Sequence, residues 1–290
     1  MQLILVTGLS GSGKSVALNV LEDGGYYCVD NLPAPLLPEL VATLRETGRD
    51  KVAVVVDART ASVTDKVRRG LADLPQYLSN LAFYGIDVRV LFLDATTETL
   101  VKRFSETRRR HPLDDGTATV PEYIHREREL LAELQPLAHH LDTSDLRANT
   151  LRDWIKDFLL SGRANLTLVF TSFGFKNGIP LDADLVFDVR PLPNPHYDPV
   201  LRPLTGRDAP VIAFLEGTPA AQELLADIDQ FVAKWLPAFE RDNRHYLTVA
   251  IGCTGGQHRS VYFAECLAAR FEAHKTGAEI LVRHREIRNH

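Results

Sequence analysis

The chain has little cysteine: Cys28, Cys253 and Cys266 are the only three in 290 residues. They stand at no metal-ligand spacing, and an odd number of thiols suits a reducing compartment. No apolar run approaches the length of a membrane span. There is no internal repeat and no low-complexity segment. Positive charge is not in excess, since the formal net charge is −5, which argues against a whole-surface polyanion binder but not against a local basic patch. The N-K-x-D signature of guanine recognition is missing. No cleaved signal peptide is expected, because the first residues run directly into a glycine-rich motif, and the expected location is the cytoplasm. What remains is globular: 45% hydrophobic and 24% charged residues, enough for one large or two ordinary domains with a substantial core.

That motif is Gly8-Leu9-Ser10-Gly11-Ser12-Gly13-Lys14-Ser15, which reads G-x-x-x-x-G-K-S. The apolar run Leu3 to Val6 supplies a strand before it, and Val16 to Leu21 supplies helical spacing after it. The glycines let successive amides turn inward around anionic oxygens at a helix N-terminus. Lys14 then reaches the β- and γ-phosphates, and Ser15 can ligate Mg²⁺. A glycine-rich turn with a surface lysine is the plainer alternative. The strand, loop and helix in register favour a nucleoside triphosphate site.

The first half alternates strands and helices. Strands are expected at Tyr26–Asp30, Lys51–Asp57, Val88–Asp94 and Leu141–Thr143. Helices are expected at Leu36–Glu46, Val63–Tyr84, Thr97–Arg109, Leu146–Leu160, and from Pro121 to about His140. Near-continuous β-branched runs between helices predict a parallel sheet covered on both faces. The fold class is therefore α/β: a P-loop NTPase domain, kinase-like, over residues 1–162, then a second α/β domain over 163–290. Ser161–Asn165 is the expected linker. The second half predicts strands at Leu166–Ser172, Asp184–Arg190 and Leu247–Gly252, helices at Thr218–Phe239 and Ser260–Ala273, and a long loop over Pro191–Pro210 whose length suggests function.

A triphosphate site also needs a strand-end carboxylate. Asp57 ends a run of valines in the Walker B manner and is favoured as a second Mg²⁺ ligand, with Arg59 close by in Asp57-Ala58-Arg59-Thr60. Asp94 and Asp30 end strands too, and any such aspartate can simply terminate a strand or cap a helix. Arg103, Arg108, Arg109, Arg110 and His111 cluster at a helix end. Cations there complement the helix dipole, but Arg108, Arg109 and Arg110 together exceed that need and suggest a lid supplying charge to a phosphoryl group.

A second anion loop follows the strand at Leu247: Cys253-Thr254-Gly255-Gly256-Gln257-His258-Arg259-Ser260. Its glycines permit inward amides, and Arg259 can fork two oxygens. The spelling C-x-x-G-x-x-R-S also matches cysteine-dependent phosphatases, with Cys253 as thiolate nucleophile. Phosphate binding ranks first, a structural turn second and phosphatase chemistry third. His196 lies in Asn194-Pro195-His196-Tyr197. The end of the chain, with Arg283, Arg285 and Arg288, is basic on an acidic protein and is a place for a polyanion.

Together the strings Gly8–Ser15, Asp30-Asn31-Leu32-Pro33, Asp57-Ala58-Arg59, Phe104–Leu113, Ser172–Lys176, Asp182–Arg190, Asn194–Tyr197 and Gly252–Ser260 resemble the bacterial RNase adapter protein RapZ and its YvcJ-type nucleotide-binding relatives. The resemblance spans essentially the whole chain. It implies an N-terminal domain that binds ATP and GTP and hydrolyses them weakly. Gly8–Ser15 would take ATP, and Asp57, Ala58, Arg59 and Thr60 match the family's GTP segment. It implies a C-terminal domain with a sugar-phosphate-binding fold that takes glucosamine-6-phosphate and a small RNA, in a protein that presents RNA to an endoribonuclease; a homo-oligomer is expected. His196, Thr254, Gly255, His258 and Arg259 resemble its sugar-phosphate positions, with Lys176 and Cys253 in the same motifs. Where those members carry lysines at the extreme C-terminus, this chain carries arginine and histidine. Two other functions compete. A small-molecule kinase would show acceptor-dependent ADP formation, and a phosphatase centred on Cys253 would turn over a phosphomonoester rapidly.

Overall fold

The computed structural model describes residues 1–58, 71–160, 166–241, 246–274 and 277–287. They fall into two compact units, Met1–Lys156 and Asp157–His290.

In the first unit the strand before the glycine motif is β1 (Gln2–Gly8), and Leu3, Ile4, Leu5 and Val6 are each at most 1% exposed. A strand buried on both faces belongs inside a parallel sheet. β2 (Tyr27–Val29), β3 (Lys51–Val55), β4 (Asp87–Asp94) and β5 (His139–Asp142) complete that sheet in the order β2-β3-β1-β4-β5, with every pairing parallel. The register sets Val6 opposite Val55 and Gly8 opposite Leu93, so the carboxyl ends of β1, β3 and β4 open on one side. The helices are α1 (Lys14–Asp23), α2 (Leu37–Glu46), α3 (Leu74–Phe83), α4 (Thr97–Thr107), α5 (Val120–Leu131) and α6 (Ala148–Leu160), whose last four residues fall in the second unit. A capping box of Thr119 and Glu122 opens α5.

The expected helix over 63–84 is described only from residue 71, and the expected linker 161–165 lies outside the described residues. Another expected helix is shorter than its pattern. The helix read from Pro121 to His140 ends at Leu131, becomes a 3₁₀ segment over Ala132–Leu137 that contains Pro136, and gives way to β5. Proline lacks the amide and clashes with the preceding turn, and His139–Asp142 gains ladder bonds to β4 instead.

The second unit has its own parallel sheet, β6 (Thr167–Gly174), β7 (Leu185–Asp188), β8 (Tyr246–Cys253) and β9 (Glu279–His284), in the order β7-β8-β6-β9. Relative to its own first strand this is the order of the first four strands of the other sheet. Its helices are α7 (Ala209–Glu216), α8 (Pro219–Arg241) and α9 (Arg259–Ala273). α7 begins in the last two residues of what reads as a long loop over Pro191–Pro210. β9 takes in Arg283 and His284, the first two residues of the expected basic tail: Ile280, Leu281 and Val282 give Glu279–His284 enough apolar character to pair along β6. Both units are thus α/β, and in the first the G-x-x-x-x-G-K-S motif joins β1 to α1. No helix among the described residues is long and apolar enough to cross a membrane.

Candidate functional site

The first loop is built from backbone that only glycine adopts easily. Gly8, Gly11 and Gly13 have φ of 128°, 86° and 109°. A Cβ on Gly8 would stand 2.0 Å from the Leu93 carbonyl oxygen, and one on Gly13 would stand 2.8 Å from Leu151 Cδ2. Lys14, the first residue of α1, is buried, and its Nζ donates to the carbonyls of Gly8 (2.5 Å) and Leu9 (3.0 Å). The charge is thereby held over the loop it closes. Ser15 is exposed on the first turn of α1, while Leu9, Ser10 and Ser12 are buried. The buried Ser12 Oγ has no hydrogen-bond partner among the described residues.

Three side chains brace this loop. Arg103 donates to the Gly11 carbonyl (3.0 Å), to Thr143 Oγ1 (3.1 Å) and to the Thr143 carbonyl (2.6 Å). Thr143 Oγ1 in turn lies 2.9 Å from the Ser12 carbonyl. Glu127, fully buried on α5, accepts the Ser10 N–H (2.9 Å) and the Ser10 hydroxyl (2.7 Å). Arg103 therefore works at the loop and apart from Arg108, Arg109 and Arg110, with which its sequence position groups it. Those three are exposed, and Arg108, at φ 52°, ends α4.

Of the strand-end carboxylates, Asp57 is fully buried just past β3, beside Ala58. Arg59 and Thr60 lie outside the described residues. Asp94 is committed elsewhere: Arg128 reaches it at 3.1 Å and His140 at 3.6 Å. Burial pushes its carboxyl up, but hydrogen bonds from His140, Arg128 and the Ala95 amide outweigh that and hold it below the ordinary value. Asp30 is exposed at the end of β2.

In the second unit the adjacent strands β6 and β8 send their connections in opposite directions, β6 toward β7 and β8 across to β9. Ligands of open α/β sheets bind at such a point, outside the carboxyl ends of the strands. Gly174 and Cys253 meet there in register, and Cys253–Arg259 runs from β8 into α9. Cys253 is 3% exposed, and its Sγ accepts the Gly256 N–H (3.2 Å) and contacts Ser260 Oγ (3.2 Å). Burial acts to raise its thiol, yet Ser260, Gly256 and the Arg259 charge hold it below the ordinary value. Arg259, also 3% exposed, donates Nη1 to the carbonyls of Arg190 (2.8 Å) and Leu192 (2.8 Å), while its buried Nε has no partner among the described residues.

A pocket of about 910 Å³ opens at this loop, with Arg190, Asn194, Tyr197, Asp198, Thr254 and Arg259 in its wall. His196 is exposed, its ring 6.4 Å from that of buried His258. Burial lowers the His258 pKa, so the ring stays neutral to lower pH than an ordinary histidine. Gly255 is half-buried, Gly256 buried and Gln257 exposed, and the exposed Lys176 donates its backbone amide to the Thr254 carbonyl (3.4 Å). Sequence reasoning missed Arg190, which stacks 3.9 Å over Phe175 and pairs with Asp188 at 2.6 Å. It also missed Glu127 and Thr143, whose partners are distant in the chain.

Arg283 is not part of a free basic arm. Arg283 is 1% exposed within β9, and the following His284 is bonded to Ser172 (2.7 Å) and Glu265 (3.0 Å). A guanidinium in that position meets no RNA phosphate unless the strand leaves the sheet. Arg285 is half-buried, and Arg288 lies outside the described residues. Glu286 folds back behind the second anion loop, where a Cβ on Gly256 would be 2.4 Å from its Oε2.

Residues 1–163 match the RapZ-like N-terminal domain and residues 166–288 the RapZ C-terminal domain. A protein of Thiobacillus denitrificans named nucleotide-binding protein is 61% identical over 287 residues, 99% of this chain and 100% of its own. One of Aromatoleum aromaticum, also named a nucleotide-binding protein, is 58% identical over 286 residues, covering 98% of this chain and 94% of its own. Among solved structures, an unliganded sugar kinase from Janibacter sp. HTCC2649 is 16% identical across 55% of this chain and 94% of its own, with a TM-score of 0.36. Shikimate kinase from Acinetobacter baumannii is 16% identical across 56% and 94%, with a TM-score of 0.34. With both family domains matched in order from one end to the other, and relatives of such identity over full length, the chain belongs to the RapZ family.

Proposed function

We propose that this protein is a cytoplasmic regulatory nucleotide-binding protein that takes ATP or GTP with Mg²⁺ at Gly8–Ser15, hydrolyses it slowly, and senses a phosphorylated sugar at Cys253–Arg259. The observation that carries the first part is Lys14 Nζ fixed over a loop of three left-handed glycines at the head of α1. Amides at the helix start and one buried cation make an anion cradle. The donor set suits a hard cation: the Ser15 hydroxyl and the Asp57 carboxylate, which follow the adjacent strands β1 and β3, would hold Mg²⁺. When bound, the ion neutralises charge on the β- and γ-phosphoryl oxygens. Titration of the protein with MgATP and MgGTP by calorimetry tests this part.

The buried Nε of Arg259, beside the pocket and the glycine loop, supports a phosphate group in the second site. Glucosamine-6-phosphate is the ligand that family membership favours. Comparing it with glucosamine and with inorganic phosphate separates sugar from phosphate recognition. The adapter role, with a small RNA and an endoribonuclease as partners and a homo-oligomeric chain, is carried by family membership. Arg283 is withdrawn from the RNA contact by its burial, and the exposed Arg108, Arg109 and Arg110 take its place. A small-molecule kinase is the second reading. It is favoured by the kinase-like order of the first sheet and by the exposed Asp30 at its carboxyl end. ADP formation that depends on an added acceptor would decide for it.

A further inference from the structure

We propose that Glu127 is a positioning residue that joins the phosphate loop to the arginine segment, so that nucleotide on the loop sets the placement of Arg108, Arg109 and Arg110. The proposal rests on the nucleotide reading of Gly8–Ser15.

Three donors converge on one fully buried carboxylate. Ser10 supplies its N–H and its hydroxyl, and His111 supplies Nε2 at 3.1 Å. The His111 tautomer follows from its other nitrogen: Nδ1 accepts the Leu113 N–H at 3.2 Å, so Nε2 carries the proton and donates. His111 directly follows Arg110. Its ring is stacked on Tyr123 at 5.8 Å and packed against Phe104 at 5.1 Å, and it is 3% exposed. The Tyr123 hydroxyl accepts the amides of Asp115, Thr117 and Ala118 and donates to Asp115.

The segment after the arginines is therefore a folded unit of its own. Besides ring packing, it is fastened to the phosphate loop through Glu127. A change in the backbone at Ser10 passes through one side chain to the residue that ends the arginine run. Buried polar networks of this kind have few alternative arrangements, because each unmade bond leaves a desolvated group unpaired.

The arginines are themselves trypsin sites, which gives the test. In the full-length protein, MgATP is expected to slow cleavage after Arg108, Arg109 and Arg110 roughly tenfold. In Glu127→Gln that protection should fall below about twofold, while by reciprocity of coupling nucleotide affinity falls no more than roughly tenfold. The amide keeps the size of the side chain but removes the charge, so the bonds from the Ser10 N–H and His111 lose their ionic acceptor, and the Ser10 hydroxyl faces an N–H donor in place of its acceptor oxygen. Should Glu127→Gln fail to fold by near-UV circular dichroism, Ser10→Ala removes one of the three bonds and should at least halve the protection. A wild-type protein that binds MgATP without protection, or a Glu127→Gln protein that keeps it, overturns the proposal alone. A wild-type protein that binds no nucleotide overturns the nucleotide reading as well.

Discussion

Truncating Arg259 is expected to damage both the second unit and its anion site, by amounts that can be worked separately. The side chain is 3% exposed, and its Nη1 spans the carbonyls of Arg190 and Leu192 at 2.8 Å each. Arg259→Ala leaves both carbonyls without this donor. The Leu192 bond is buried and the Arg190 bond only partly so. At about 1–3 kcal/mol for a desolvated group left unpaired, and less for the part-solvated one, the loss of stability is about 2–4 kcal/mol. The affinity for a phosphosugar should fall by about 2–5 kcal/mol, the scale of removing one partner from a hydrogen-bonded charge pair. Arg259→Lys separates the two effects, because it keeps the charge but cannot span both carbonyls and fork an anion together. Urea unfolding reads the first number, and calorimetry with glucosamine-6-phosphate on folded protein reads the second. An Arg259→Ala protein with an unchanged urea midpoint and unchanged affinity would refute both steps of the reasoning.

Gly8→Ala should cost on the order of 3 kcal/mol or more, since its Cβ meets the Leu93 backbone at a φ that L-residues resist; a thermal midpoint equal to that of the wild type would contradict this. Glu265 is held down to about 2 from an ordinary 4.5, first by its hydrogen bond from His284 and also by Arg207. A depressed carboxyl stabilises the fold above its unfolded pKa and loses that contribution as pH falls through the folded one. The difference in urea midpoint between wild type and Glu265→Gln should therefore be full above pH 4.5 and shrink toward pH 2, whereas a constant difference would disprove the linkage. If Arg108–Arg110 bind RNA, replacing Arg109 and Arg110 by alanine should lower affinity and flatten the salt slope by roughly 0.7–0.9 for each phosphate no longer neutralised. A gel-shift series with the same slope removes them from the RNA surface.

Much of this architecture is legible in the chain. The apolar runs at Leu3–Val6 and Val52–Val55 can only be satisfied inside a parallel sheet, and the glycine spacing of 8, 11 and 13 declares the loop. The features that escape such reading are the ones made by distance. Ser10 and Glu127 lie 117 residues apart and meet only because α5 packs behind the loop. Arg103 sits five residues before Arg108, yet its bonds to the Gly11 carbonyl and to Thr143 hold it at the loop while the others remain in solvent. Glu279–His284 carries two basic residues among its six, and that charge conceals a strand whose apolar residues and ladder bonds to β6 decide its place. The 3₁₀ segment at Pro136 interrupts a pattern whose periodicity alone runs on.

The function proposed for the first unit depends most on Lys14 and the loop it closes. Calorimetric titration of wild type and Lys14→Ala with MgATP and MgGTP tests it directly. Saturable binding of at least one of them, at one site per chain, is expected in the wild type. Severe loss of affinity is expected in the variant, because only the backbone amides remain to hold the phosphates. Full affinity in Lys14→Ala, or no binding of either nucleotide by the wild type, would contradict it.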